Sequence, residues 1–118
     1  MKSKNLLECL INEQLSSVEF VQDYLQLHFE DKTLTCYVWP FVITNGCEYR
    51  SSHIEYKNRL CDVIADRVSN VDLIENTRLT IAFESGSEII LSLDPSNPEI
   101  VGEIAILSDD ENNWSVFE

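Results

Sequence analysis

Four cysteines and two histidines carry the broadest chemistry in this 118-residue chain, and their spacing argues against most of it. Cys9, Cys36, Cys47 and Cys61 form no Cys-x-x-Cys pair, whereas a closed zinc site needs four ligands that converge. If Tyr24 to Val38 is a hairpin, His28 and Cys36 lie on opposite faces of it and Cys47 lies beyond Pro40, so no metal centre is expected. Nucleophilic catalysis needs a Ser or Cys beside a base that a third group orients. Cys47 with His53 is the one local candidate, and it has neither a glycine-rich nucleophile turn nor an orienting partner. With only Gly46, Gly86 and Gly102, the chain has no phosphate loop. The acidic turn Ser108 to Asn113 lacks the glycine and the distal glutamate of a calcium hand, which leaves room for weak calcium binding only. The expectation is a non-enzyme without catalytic residues, cofactor or resident metal.

Charge is the stronger signal. The chain has 21 acids and 8 bases, a net of −13, and residues 79–118 hold 9 of the acids and no base. Nucleic-acid binding is disfavoured, because its affinity rests on Lys and Arg neutralising phosphates. A one-sign surface suits a basic protein partner instead. The residues expected to meet it are Glu84, Glu88, Glu103, Asp109, Asp110 and Glu111, with Trp114 as the apolar anchor. An aromatic inside a polar rim is ordinary interface composition. The opposite reading, in which Trp114 and Phe117 pack on the core as the last strand closes its sheet, stays open.

The elements that must position these residues follow from periodicity. Leu6, Leu7, Leu10, Ile11 and Leu15 recur at helical steps, which predicts a helix over 5–15 with Asn5 or Ser3 as its cap. Val18 to Asp23 reads as a strand. Tyr24 to Val38 reads as a hairpin turning at Asp31 and Lys32, with Phe29 opposite Leu34, Leu27 opposite Cys36 and Leu25 opposite Val38. Residues 41–52 read as a connecting loop with room for one short strand. Ser52 and Glu55 suggest a capping box for a second helix that runs to about Asp66. Strands follow at Val68 to Ile74, Arg78 to Glu84 and Glu88 to Leu93, the last two joined by Glu84, Ser85 and Gly86, which sets Ile81 opposite Ile89. A final pair is expected within 99–118.

Placing Leu7 over Leu60 also sets Leu15 over Val68, Ser16 over Ser69 and Val18 over Val71, and after one inserted residue Phe29 falls on Phe83. The reading is therefore α+β: one domain over 1–118, with two helix-plus-three-strand units at 5–39 and 53–93 as an internal repeat. They are expected to form a bent antiparallel sheet or open barrel with two helices, plus the C-terminal strand pair. Lys2 and Lys4 precede an apolar run broken by Glu8, Asn12 and Glu13, so neither a secretion signal nor a membrane span is expected. Unpaired cysteines fit the cytoplasm, where such residues usually serve as small buried hydrophobes.

The stretches FEDKTL and FESGSEI and the ending EIAILSDDENNWSVFE resemble small acidic bacterial proteins, the immunity proteins of contact-dependent inhibition and polymorphic toxin systems. The resemblance implies a cytoplasmic inhibitor that binds one cognate toxin, commonly a basic nuclease. Two other classes remain beside it: a small-ligand-binding protein with a pocket near Tyr37, Trp39 and His28, and a structural protein that forms a homodimer through an open strand edge.

Overall fold

Alternation of apolar and polar residues is realised as ten strands among residues 6–97 and 102–118, the part of the chain that the computed structural model describes. They are β1 (Ser17–Val21), β2 (Tyr24–His28), β3 (Lys32–Cys36), β4 (Phe41–Thr44), β5 (Cys47–Tyr49), β6 (Val68–Ile74), β7 (Arg78–Phe83), β8 (Glu88–Ser92), β9 (Ala105–Asp109) and β10 (Trp114–Phe117). They form two antiparallel sheets of five strands, in the orders β1-β2-β3-β9-β10 and β5-β4-β8-β7-β6. Strand accounts for 47% of the described residues and helix for 8%, so the fold is mostly β and the α+β expectation is overturned.

Both expected helices are cut short for local reasons. Residues 6–8 are helical, but Cys9, Leu10 and Ile11 donate to carbonyls three residues back, and Asn12 then takes a left-handed φ of 77° that ends the turn. The caps expected at Ser3 and Asn5 lie outside the described residues. The second helix, α1, spans only Tyr56–Cys61, and Ala65 at φ 79° stops the turns that follow. The capping box does not form; the Glu55 N–H donates to His53 Nδ1 at 3.0 Å. Leu7, Leu10, Leu60 and Val63 still bury their apolar stripe in the core, so the spacing marked burial correctly and overstated helix length.

One cluster of buried side chains joins the inner faces of the two sheets. Leu25, Leu27, Leu34, Ala105, Leu107 and Phe117 come from the first sheet, and Val42, Val68, Leu79, Ile81, Phe83, Ile89 and Leu91 from the second. Burying such faces, at about 25 cal/mol per Å², is the main favourable term in folding. The β7–β8 hairpin has the expected register, Ile81 opposite Ile89 and Leu79 opposite Leu91, with Gly86 at φ 97°. In β2–β3 the turn sits one residue earlier than expected, because the Phe29 N–H donates to the Lys32 carbonyl. Leu27 therefore faces Leu34 and Leu25 faces Cys36. The slip preserves the apolar face, since it shifts partners by two residues. Within the stretch expected to be a connecting loop with one short strand, residues 41–49 form a two-stranded hairpin: Asn45 and Gly46, at φ 53° and 78°, make the tight turn between β4 and β5.

The halves of the chain correspond differently from the expected repeat. Each contributes a turn, a three-stranded meander and a hairpin, and the hairpin crosses to the other half's sheet. β4–β5 joins β6–β8 through β8, and β9–β10 joins β1–β3 through β3. The halves meet at the antiparallel bridge Gln14–Arg67, flanked by matching hydrogen bonds. Asn12 N–H donates to Val68 O at 2.8 Å as Ala65 N–H donates to Leu15 O at 2.7 Å, and Leu15 N–H donates to Asp66 O as Val68 N–H donates to Glu13 O. The local arrangement is a two-fold one about that bridge. Helix-plus-three-strand units at 5–39 and 53–93 are not the building blocks.

Candidate functional site

The pairing of β3 with β9 sets two hairpin tips side by side. Lys32 lies opposite Asp109, so the β2–β3 turn, with Glu30 and Asp31, adjoins the β9–β10 turn, with Asp109 and Asp110. A groove of about 310 Å³ between them is lined by His28, Asp31, Lys32, Thr33, Ser108 and Asp110 among others. The one base in it is neutralised internally. Lys32 is only 8% exposed and donates to Glu13 Oε2 at 2.6 Å and to Asp31 Oδ1 at 2.8 Å. Burial alone would lower its pKa, but these hydrogen bonds outweigh that and hold it above the ordinary lysine range. Burial pushes Glu13 upward despite Lys32, and the hydrogen bond from Lys32 holds Asp31 below the usual carboxylate range. What faces solvent at this end is mostly acidic, with Arg67 beside Glu30 as its partly exposed cation.

Asp109 is a turn-former. Its Oδ1 accepts from the N–H groups of Glu111 and Asn113, each at 2.9 Å, and its Oδ2 accepts from Asn113 Nδ2 at 3.1 Å. Those bonds, the Asn113 side chain foremost, lower its pKa. Asp110 and Glu111 project from the same turn as exposed residues. Trp114 opens β10 on the outer face of the sheet, opposite Ser108, and is 63% exposed, whereas Phe117 on the inner face is buried. The two readings left open for these aromatics thus divide: Phe117 belongs to the core and Trp114 to the surface.

The remaining expected interface residues do not all gather here. Glu84 sits at the β7–β8 tip, its N–H on Arg67 O, and the Arg67 guanidinium reaches Glu30 at 3.9 Å, which places Glu84 at the same end of the molecule. Glu103 precedes β9 at the opposite end of that strand from Asp109. Glu88 lies on the outer face of the second sheet, in a groove of about 570 Å³ with Phe41, Ile43, Asp72, Arg78 and Ile90. One partner surface at the acidic end does not reach Glu88. Glu30 and Asp31, which complete the acidic end, were missed because only the tertiary pairing β3–β9 brings that turn beside residues 109–111.

The other chemical candidates are accounted for by local contacts. His28 meets Glu19 Oε1 through Nε2 and Thr33 Oγ1 through Nδ1, each at 3.1 Å, while Trp39 lines a different groove with Phe20, Tyr56 and Lys57, and Tyr37 packs against Tyr24. His53 accepts from Glu55 N–H and sets its ring edge-on to Tyr49. All four cysteines are free; Cys36 is buried, which pushes its thiol to about 12, and Cys9, Cys47 and Cys61 are exposed rather than small core residues. Among the described residues no cluster of three or more His, Cys, Asp or Glu is arranged to hold a metal ion. None of their helices is long and apolar enough to cross a membrane. No protein-family model, curated protein or solved structure matches the chain.

Proposed function

We propose that this chain is a stoichiometric protein inhibitor, of the immunity-protein kind, that acts in the cytoplasm and neutralises a basic toxin domain by covering it. The observation that carries the reading is Trp114, 63% exposed on a hairpin whose turn presents Asp110 and Glu111 beside Glu30 and Asp31. A large exposed aromatic within a mostly acidic rim suits a protein partner: the charge speeds and selects encounter, and the ring, once desolvated, slows release. No chemical step by this chain is required.

The test is growth of cells that express the protein encoded beside this gene, or its C-terminal domain, with and without this chain. The wild-type chain is expected to restore growth, and the variant carrying Asp110→Lys, Glu111→Lys and Trp114→Ala to fail while folding normally by circular dichroism. A neighbour whose toxicity is unaffected by the wild-type chain overturns the proposal.

A further inference from the structure

The two sheets have four edge strands, and three of them are blunted. β1 carries Glu19 at its centre and is flanked by α1, with Lys57 Nζ 5.5 Å from the centre of the Phe20 ring. β5 has three residues, Glu48 among them, and β6 carries Asp72 and a register shift between Val68 and Asn70. Short length, central charges, irregular register and a covering helix are the devices that stop strands from pairing with other chains. The fourth edge, β10, is short too, but among the described residues it has no central charge, irregular register or covering helix. It reads Trp-Ser-Val-Phe, holds a continuous register against β9, and contains no charge within the strand.

Among the described residues its geometry leaves it open. The Asp109 N–H donates to Asn113 O at 3.0 Å, so 113 and 109 are a hydrogen-bonded pair, and alternation makes Ser115–Leu107 the next one. The N–H and C=O groups of Trp114 and Val116 therefore point away from the sheet. On the inner side, a groove of about 180 Å³ separates Val116, Phe117 and Glu118 from Leu73, Glu75, Asn76 and Leu93 of the other sheet. Ser115, also inward, is 4% exposed and its hydroxyl has no hydrogen-bond partner among the described residues.

From these observations we infer that β10 accepts an extended segment of a basic partner protein as a sixth strand. The inference rests on the binding reading above and names how the partner binds. Charge selects the occupant. Asp110 and Glu111 stand at one end of the edge, and Glu118 and Glu75 at the other. The four residues of β10 span about 14 Å at strand rise, so basic residues about four positions apart reach both ends. Side chains opposite Trp114 and Val116 lie outward beside them and are aliphatic. The one opposite Ser115 is small and polar and completes its hydroxyl. A basic side chain opposite Phe117 lays its stem over Leu73 and Leu93 and brings its charge to Glu75 and Glu118. A second copy of this chain does not fit, because antiparallel β10–β10 pairing sets Asp110 and Glu111 against Glu118.

The probe is the peptide Lys-Lys-Val-Thr-Val-Lys-Lys, compared with the same peptide N-methylated at its three central residues. The unmethylated peptide is expected to slow amide exchange at Trp114 and Val116 at least tenfold and to bind at least tenfold more tightly than the methylated one. Val116→Pro removes only an outward donor and is expected to cost tenfold in peptide affinity with the fold retained; Val116→Lys, the second variant, is expected to do the same by charge. Equal binding of both peptides, or no binding of either, overturns strand addition. Equal binding that Asp110→Lys with Glu111→Lys abolishes leaves the acidic-surface reading standing, whereas binding indifferent to that reversal removes it. Protection of Val116 in the protein alone at high concentration assigns the edge to a second copy and overturns the basic occupant.

Discussion

Lys32, the one charged side chain that is buried among the described residues, has its Nζ 2.6 Å from Glu13 Oε2 and 2.8 Å from Asp31 Oδ1. Glu13 keeps one carboxylate oxygen, Oε1, buried without a hydrogen bond among the described residues. The folded-state pKa of Glu13 lies above its unfolded value, so the stability it contributes is full below the unfolded pKa and is lost as pH rises through the folded one. Lys32 is also raised, and its contribution persists from neutral pH until its own folded pKa is passed. Removing the cation leaves an ionised Glu13 buried and unpaired. We expect Lys32→Met to cost about 3 kcal/mol at neutral pH. The loss should fall by more than half in acid, below the ordinary glutamate range, where Glu13, its pKa raised by burial, is protonated. Urea unfolding at the two pH values checks this, and an equal loss at both would sink it. Nothing in the local sequence marks Lys32 as buried: beside Asp31 it reads as a turn residue, and only a one-residue displacement of the turn puts it on the inward face.

Hairpins are the elements on which the site depends, and their turns were partly legible. Glu84, Ser85 and Gly86 are recognisable because glycine reaches positive φ without a steric penalty. Asn45 and Gly46 carry the strongest short hairpin signal in the chain, yet the strands on either side are too short for alternation to be read with certainty. At Gly46, with φ 78° and nothing within 4 Å of an added Cβ, only backbone strain opposes substitution. Gly46→Ala is therefore expected to lower stability by about 1 kcal/mol, read as a shift of the urea midpoint at unchanged slope. A midpoint equal to wild type would show that the turn relaxes. The expected helices illustrate the converse error: a stripe of leucines reports which face is buried and says little about how far the helix continues.

At the scale of the whole molecule, the exchanged hairpins make each sheet dependent on both halves of the chain. Residues up to the exposed loop at His53 and Ile54 supply β1–β5 but lack β9–β10, and the rest lack β4–β5. Each fragment alone leaves the inner face of its meander uncovered. We expect residues 1–53 and 54–118 to be unfolded separately by circular dichroism and to regain cooperative thermal unfolding when mixed; a fragment that folds alone would show that its meander suffices.

Side-chain alternation is local, so the sequence by itself determined which face of nearly every strand is apolar, the register of β7–β8, the central place of β8 and the acidic character of the last third. It also marked Asp109, Asp110, Glu111 and Trp114 as one cluster. Which strands become neighbours was decided only in the tertiary structure: β3 with β9, β4 with β8, and hence Glu30 and Asp31 beside Asp110, Lys32 inside and β10 at an open edge. The reason is that any apolar-faced strand satisfies alternation equally well against many others. The choice among them rests on burial summed over two sheets at once, and no window of the chain contains that sum.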